Sequence, residues 1–220
     1  MHAERVMALL PFPSGGGPRS GGVHLSGLLK SMALDYGFLD KQYADDLKLV
    51  EVAGSGETWW AGLDEATKLR MSFGLAWEAW YLPQVPGVVH QPGEMELAGI
   101  YMNCDGQSLD AVMVEGRHKY VIAIHEVKTT SKSTNTVGDL NEFNPKNWLW
   151  LSQTMAYCKA AGATVAYLHI LYLYGDYTRP FKMQLHVWRV EFSQEELDGL
   201  WQRVLQHRDD KAAQGLLEVE

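Results

Sequence analysis

Between Glu94 and Lys128 the chain reads as strand, turn, strand, turn, strand, and this stretch restricts the fold more than any other. The segments "EMELAGIYMN" (94–103), "SLDAVMV" (108–114) and "YVIAIHEVK" (120–128) are apolar and strand-like, and "CDGQ" (104–107) and "EGRHK" (115–119) carry turn residues. Connections this short join antiparallel neighbours, so the pattern predicts an antiparallel meander. The last strand ends unusually. Side chains alternate between faces in an extended chain, so Glu126 and Lys128 point one way while His125 and Val127 point the other. A carboxylate and an amine are thus presented together on one side of a sheet. Taken alone, such a pair is an ordinary surface ion pair of small energetic value.

Helical signals flank the meander. Ser26 reads as the N-cap of a first helix in "SGLLKSMALDYGFLD" (26–40), and "DDLKLVEVAGSGE" (45–57) as a short strand and a loop. "DEATKLRMSFGLAWEAWYL" (64–82) has early acids and no proline before Pro83, which predicts one long helix. Arg70, Gly74 and Glu78 recur on it every fourth residue and form one stripe, where glycine lets another element come close. Asn144 and Pro145 open a helix that closes at Gly162 and carries Gln153 and Tyr157 on a common face. "TVAYLHILYLYG" (164–175) is a nearly continuous apolar strand of the kind buried on both faces. "FKMQLHVWRVEF" (181–192) is another, and Ser193 with Glu196 forms a capping box for a closing helix. The sum is an α/β chain with a mixed central β-sheet flanked by helices. Its expected organisation is a flexible, Gly- and Pro-rich arm over 1–22, a single domain over 23–210 and a polar tail over 211–220.

Composition narrows the function. A net charge of −8 argues against a broad basic face for nucleic acid, so any such binding would use a local groove. No apolar run approaches the ~18 residues of a membrane span, which predicts a soluble, cytoplasmic protein without membrane partners. The two cysteines, Cys104 and Cys158, supply no disulfide framework and read as structural. His90, His118, His125 and His169 lack the spacing of a zinc site. Most tryptophans read as core, with Trp59 and Trp60 the candidates for an exposed loop.

Four short motifs then fall in a telling order: "GLAWE" (74–78) on a helix, "LDAV" around Asp110 on a strand, "EVK" (126–128) on the next strand and "QTMAY" (153–157) on a helix. This arrangement resembles the PD-(D/E)xK nuclease superfamily, and within it the branch of the RecB nuclease domain, phage lambda exonuclease and the CRISPR adaptation nucleases. That branch shares a "GxxxE" or "GxxxH" helix and a "QxxxY" helix. The resemblance spans about half the chain. It implies a restriction-endonuclease-like core and a DNA nuclease dependent on Mg²⁺ or Mn²⁺, with the QxxxY motif pointing to an exonuclease. Phage or mobile-element recombination, replication or repair is the implied setting, a bacterial or phage-infected cytoplasm the implied place, and recombination or replication proteins the implied partners. A homo-oligomer is allowed by the resemblance, since relatives form rings. The four-cysteine iron–sulfur cluster of many CRISPR adaptation nucleases is excluded by the count of two.

The residue types suit phosphodiester hydrolysis. Hard divalent cations prefer oxygen donors, so Asp110 and Glu126, the backbone carbonyl of Val127 and Glu78 are the expected metal ligands. Lys128 is expected beside the reacting phosphate, with Gln153 and Tyr157 orienting phosphate or lysine by hydrogen bonds. If the second hairpin turns near Arg117 and His118, Asp110 lies across from the Ile124–Glu126 end of its partner strand. Asp105 is a rival first aspartate, but "DG" is expected at a turn for turn reasons alone, so Asp110 is preferred. Arg70 would contact phosphate or form a helix-surface ion pair with Glu65 or a neighbour, and Glu96 reads as surface. Two other readings stand beside the enzyme: a catalytically silent DNA-binding or protein-interaction module on the same scaffold, and an accidental set of motifs. Accident would place Asp110 and Glu126 on opposite faces of the sheet.

Overall fold

The computed structural model describes residues 20–39, 50–51, 64–137 and 145–217. Trp59, Trp60, Asn144 and most of the 1–22 arm lie outside them. Among the described residues nine strands form two sheets. The smaller contains β1 (Gly22–His24), β2 (Val50–Glu51), β4 (Glu94–Leu97) and β5 (Ile100–Asn103) in the order β2-β1-β5-β4. The larger contains β3 (Val89–His90), β6 (Gly106–Val114), β7 (Arg117–Thr130), β8 (Val165–Tyr172) and β9 (Gln184–Glu191) in the order β3-β6-β7-β8-β9. Four longer helices accompany them: α1 (Leu25–Asp35), α2 (Glu65–Tyr81), α3 (Pro145–Ala161) and α4 (Gln194–Ala213). The larger sheet is mixed, because β7 and β8 run parallel across the α3 crossover while its other pairs are antiparallel. Here the expected mixed α/β architecture is found.

Two differences from the expected meander matter for the site. The stretch 94–103 is not one strand but a tight hairpin, turning at Ala98 and Gly99, whose φ values of 53° and 75° suit a two-residue turn. The step at Cys104 and Asp105 is no hairpin either, since β5 and β6 belong to different sheets and the chain crosses between them there. Gly106, which with Asp105 reads as a turn, serves close packing instead. A Cβ on it would lie 2.8 Å from Cγ1 of Val88 and 3.3 Å from Cβ of His125.

The main core lies on the side of the larger sheet that bears Ile124 and Ala166. There α1, α3 and α4 pack on one another through residues such as Leu28, Leu29, Ala156, Leu200 and Val204. The helix ends follow ordinary capping chemistry. Asp64 accepts from the Thr67 N–H at 2.9 Å to open α2, and Ser193 and Glu196 form the expected capping box of α4. α1 begins two residues earlier than expected, with His24 rather than Ser26 at its N-cap. Gly22 belongs to β1 rather than to the arm. At the other end α4 runs on to Ala213, and Leu217 is buried against the core, so the tail expected to fray from 211 is packed there. Among the described residues no helix is long and apolar enough to cross a membrane.

Candidate active site

Register decides which aspartate meets Glu126. The β6–β7 hairpin turns at Glu115 and Gly116, both at positive φ, so Gly106 pairs with His125, Ser108 with Ala123 and Asp110 with Val121. Paired residues of antiparallel strands share a face. Asp110 therefore lies on the His125 face, opposite Glu126 and five residues away along β7. This corrects the placement of Asp110 at the site. Its carboxylate accepts from Tyr167 Oη at 3.0 Å and from Arg189 Nε at 3.0 Å on the far side of the sheet. Continuing the register one residue past Gly106 brings Asp105 opposite Glu126, on its face. Opposite faces for Asp110 and Glu126 was the mark expected of accidental motifs, yet the position beside Glu126 is not empty of an acid, because Asp105 stands there.

A cavity of about 770 Å³ opens at this point, lined among others by Glu78, Asp105, Glu126, Lys128, Gln153 and Tyr157. They arrive on four supports: Glu78 on α2, Asp105 just before β6, Glu126 and Lys128 on β7, and Gln153 and Tyr157 on α3. Asp105 is fixed by its Oδ2, which accepts from the Val127 N–H at 2.7 Å. That bond uses the open edge of β7, since β6 ends at Gly106. In an extended strand the N–H and C=O of one residue point to the same edge, so the Val127 carbonyl faces the Asp105 side as well. Glu126 is 1% exposed and is ion-paired with Lys128 on its own strand face. Lys128 Nζ donates also to Gln153 Oε1 at 3.1 Å, and Gln153 Nε2 donates to Tyr157 Oη at 2.6 Å. The four-residue spacing on α3 thus builds one continuous line, Tyr157–Gln153–Lys128–Glu126.

Helix α2 closes the cavity from the open edge of β7. Its stripe of Arg70, Gly74 and Glu78 lines the cavity throughout. At Gly74 a Cβ would stand 3.1 Å from Thr129 Oγ1, so the glycine lets α2 approach β7 closely. Glu78 is buried, and its Oε1 accepts from His90 Nε2 at 2.9 Å and Gln91 Nε2 at 3.4 Å. Arg70 does not pair with Glu65, which takes Lys68 instead at 3.3 Å. It donates to Thr67 Oγ1 at 3.0 Å. Glu96 is a surface residue that accepts from Gly99 N–H at 2.8 Å within the β4–β5 turn.

The electrostatics are those of crowded acids held by one amine. Burial, then the charges of Glu126 and Glu78, push Asp105 well above the usual carboxylate range, against the pull of Lys128 and the Val127 N–H. Burial likewise raises Glu126, with Lys128 opposing it and Glu78 adding to it. For Lys128 burial acts downward, but Glu126, Asp105 and Glu78 outweigh it and hold the ammonium above its ordinary value. Tyr157 is pushed well up by burial and by the same two carboxylates, so its phenol stays protonated.

These donors fit a hard divalent cation. Glu126 Oε2 is buried and has no hydrogen-bond partner, which leaves one carboxylate oxygen unsatisfied in the cavity that Asp105 enters. Among the described residues no three His, Cys, Asp or Glu side chains already surround a common point. The groups that could hold such an ion are the Asp105–Glu126 pair and the Val127 carbonyl, with Glu78 lining the same cavity.

Behind the site, on the other face of β7 and β8, lies a buried polar chain that sequence reading missed. Tyr81 Oη is 3.0 Å from His169 Nδ1, His169 Nε2 is 2.9 Å from His125 Nδ1, and His125 Nε2 is 2.9 Å from Ser108 Oγ. The available signal was parity: His125 and His169 fall on inward positions of apolar strands. Cys104 and Cys158 are both buried.

No protein-family model matches the chain, and no curated protein matches it. Solved structures do. An alkaline exonuclease, LHK-Exo, from Laribacter hongkongensis is 16% identical with a TM-score of 0.45, over 74% of this chain and 82% of that one. The same exonuclease in complex with dAMP is 16% identical with a TM-score of 0.45, over 88% and 89%. The protein SSO0001 is 11% identical with a TM-score of 0.43, over 84% and 75%. A likeness of this degree says nothing of activity.

Proposed function

We propose that the chain is a divalent-metal-dependent nuclease that hydrolyses phosphodiester bonds in DNA. The observation that carries this reading is the meeting of Asp105, Glu126 and Lys128 in one cavity, with Glu78 beside them and one oxygen of Glu126 left unpartnered. Asp105, Glu126 and the Val127 carbonyl would hold Mg²⁺ or Mn²⁺, with Glu78 completing the set. Bound there, the ion would polarise the scissile phosphate and acidify water.

The chain's own groups do the rest. Lys128 is kept as an ammonium by the acids around it, so it acts as a hydrogen-bond donor and positive charge rather than as a base. In the proposed reaction a water oxygen bonds to phosphorus, the bond to the leaving sugar oxygen breaks, and that oxygen ends protonated. Negative charge grows on the non-bridging oxygens, and Lys128 donates toward them. Gln153 accepts from Lys128 and donates to Tyr157, which fixes where the ammonium points. Arg70, at the mouth of the cavity, is placed to meet a backbone phosphate.

Attack from strand ends, and a place in phage or mobile-element DNA recombination, replication or repair in a bacterial cytoplasm, follow from the QxxxY resemblance and belong to the same proposal. Purified protein given end-labelled linear DNA should degrade it with Mg²⁺ or Mn²⁺, stop on chelation, and spare a closed circle. No cleavage under any divalent ion would refute the nuclease reading. Rapid loss of the circle would replace exonuclease with endonuclease.

A further inference from the structure

The eleven residues between β8 and β9, Leu173 to Gln184 exclusive of the latter, carry "LYGDYTRPFKM" and stand at the rim of the cavity, where Leu173 and Tyr174 line it. The loop is tightly held. Leu173 N–H donates to the Thr130 carbonyl at 2.9 Å, Thr134 N–H to the Gly175 carbonyl at 3.0 Å, and Tyr177 N–H to the Tyr174 carbonyl at 3.0 Å. Asp176 Oδ1 accepts from Thr178 N–H at 2.9 Å, and the Tyr177 hydroxyl donates to the Ser131 carbonyl. At the neck, Gly175 has a φ of 56°, and a Cβ there would lie 2.6 Å from the Lys182 carbonyl oxygen. Only glycine lets the two legs of the loop close on each other.

So anchored, the loop still keeps three aromatic rings in water. Tyr174 is 44%, Tyr177 51% and Phe181 50% exposed. They form one cluster, with ring centroids 6.1 Å apart for Tyr174 and Tyr177 and 5.6 Å apart for Tyr174 and Phe181. Arg179 lies over the Phe181 ring, its Cζ 5.5 Å from the centroid. An ordered loop has every opportunity to turn such rings inward, and half-exposed rings grouped in a patch mark a surface that is used. Here they are interleaved with Arg179 and Lys182 in a chain whose net charge is −8, and Tyr174 at the centre of the cluster lines the cavity. Flat rings beside guanidinium and ammonium groups match unpaired bases strung on phosphates.

We propose that this loop is a stacking platform for single-stranded nucleic acid, holding unpaired bases next to the cavity while Arg179 and Lys182 meet their phosphates. The proposal rests on the nuclease reading of the cavity and names its substrate form: a strand whose bases are unpaired where it enters. The Tyr177 hydroxyl, tied to Ser131, sets the platform against the end of β7 from which Lys128 also projects.

The test compares fluorescent oligothymidylate with an abasic strand of equal length, the full chain being held in chelator so that binding alone is read. The abasic strand has the phosphates without the bases. Wild type should bind oligothymidylate about tenfold more tightly than the abasic strand, the span that one or two stacked bases give. Tyr174→Ala with Phe181→Ala should lose that preference and keep its abasic affinity, while Tyr174→Trp with Phe181→Trp should retain it. Should the double alanine variant not fold, Phe181→Ser alone must lower the preference. Equal binding of the two strands by wild type, or an undiminished preference in a folded alanine variant, would overturn the platform. Cleavage of end-labelled DNA is scored separately: cleavage without base preference sinks the platform alone, and base preference without cleavage sinks the nuclease reading alone.

Discussion

Asp105 and Asp110 carry the same carboxyl group five positions apart, and their surroundings give it opposite characters. Burial is the largest single influence on Asp110 and draws it upward, but the hydrogen bonds from Arg189 and Tyr167 together outweigh it and hold the carboxyl below the usual range, as befits a satisfied anion. Asp105 sits among acids in the cavity, where desolvation and then the charges of Glu126 and Glu78 disfavour its ionised form. Asp105→Asn should therefore reduce metal-dependent cleavage by at least about 10²-fold, whereas Asp110→Asn should leave the cleavage rate within a factor of about two, because surface substitutions seldom reach a site. Single-turnover assays on linear DNA distinguish them, and the reverse order would return Asp110 to the site. Asp105→Asn also removes one of three crowded negative charges, so in chelator it should melt a few degrees higher, by about 0.5–2 kcal/mol. Added Mg²⁺ should raise the melting temperature of wild type and not of the variant. Lys128→Ala, which removes a donor to the developing charge, should cost about 10²–10³-fold in rate. The thiols make a simpler case. Burial pushes Cys104 and Cys158 up to about 12, so a thiol reagent at neutral pH should label neither until the chain is unfolded.

At the scale of elements, the sequence was most legible where a period or a cap speaks locally. Helices α2, α3 and α4 and strands β7, β8 and β9 lie close to where periodicity, Asp64, Pro145 and the Ser193 box put them. Legibility failed at short turns, because a two-residue turn is signalled only by residues tolerant of positive φ. Ala98-Gly99 hides a hairpin inside an apparently unbroken strand. Glu115-Gly116 turns two residues before the expected point, and a two-residue shift of a turn moves every cross-strand partner by four. That shift moves Asp110 four residues along β7, from His125 to Val121, and, being even, leaves it on the His125 face in either register; the face of Asp110 follows from strand parity, which the expected meander leaves unresolved. Asp105 was discounted because its Gly106 looked like turn chemistry, when the glycine is there to admit Val88. The α2 stripe was read from spacing alone, and its glycine does face a close neighbour. Gly74→Val should push α2 away from Thr129, costing about 1–3 kcal/mol in denaturant melts and carrying Glu78 out of position. Cleavage should fall with it, and a variant of full activity would show that α2 does not need its close seat on β7.

Across the whole molecule the larger sheet divides two polar worlds. Acids, lysine and the Gln153–Tyr157 pair occupy the face toward α3. The opposite face holds His125 and His169, linked between Tyr81 and Ser108, with Tyr167 stacked on His125 at 4.9 Å and Asp110 and Arg189 beyond it. Burial depresses both histidines to about 4, with Asp110 pulling His125 back up and His125 pressing His169 further down. As neutral rings each has one N–H and one bare nitrogen, which suffices for an unbroken line from Tyr81 to Ser108, while two protons would set N–H against N–H. The sign of the pH effect follows. Above about 6.5 both states are neutral and the pair contributes nothing. As pH falls from there toward 4 the unfolded chain binds protons that the folded one refuses, so folding stability falls, by up to about 1.4 kcal/mol per pH unit for each histidine. Asp105 and Glu126 act in the other direction, since their folded values are raised and their mutual repulsion is relieved on acidification. Urea melts in chelator between about pH 7.5 and 5 report the sum of these opposed contributions, so the histidine part is read as a difference: His169→Gln, which keeps polar atoms but does not titrate, should lose less stability with acid than wild type does, by a margin that grows as the pH falls. A variant as acid-sensitive as wild type would place the lost stability elsewhere than in this histidine pair.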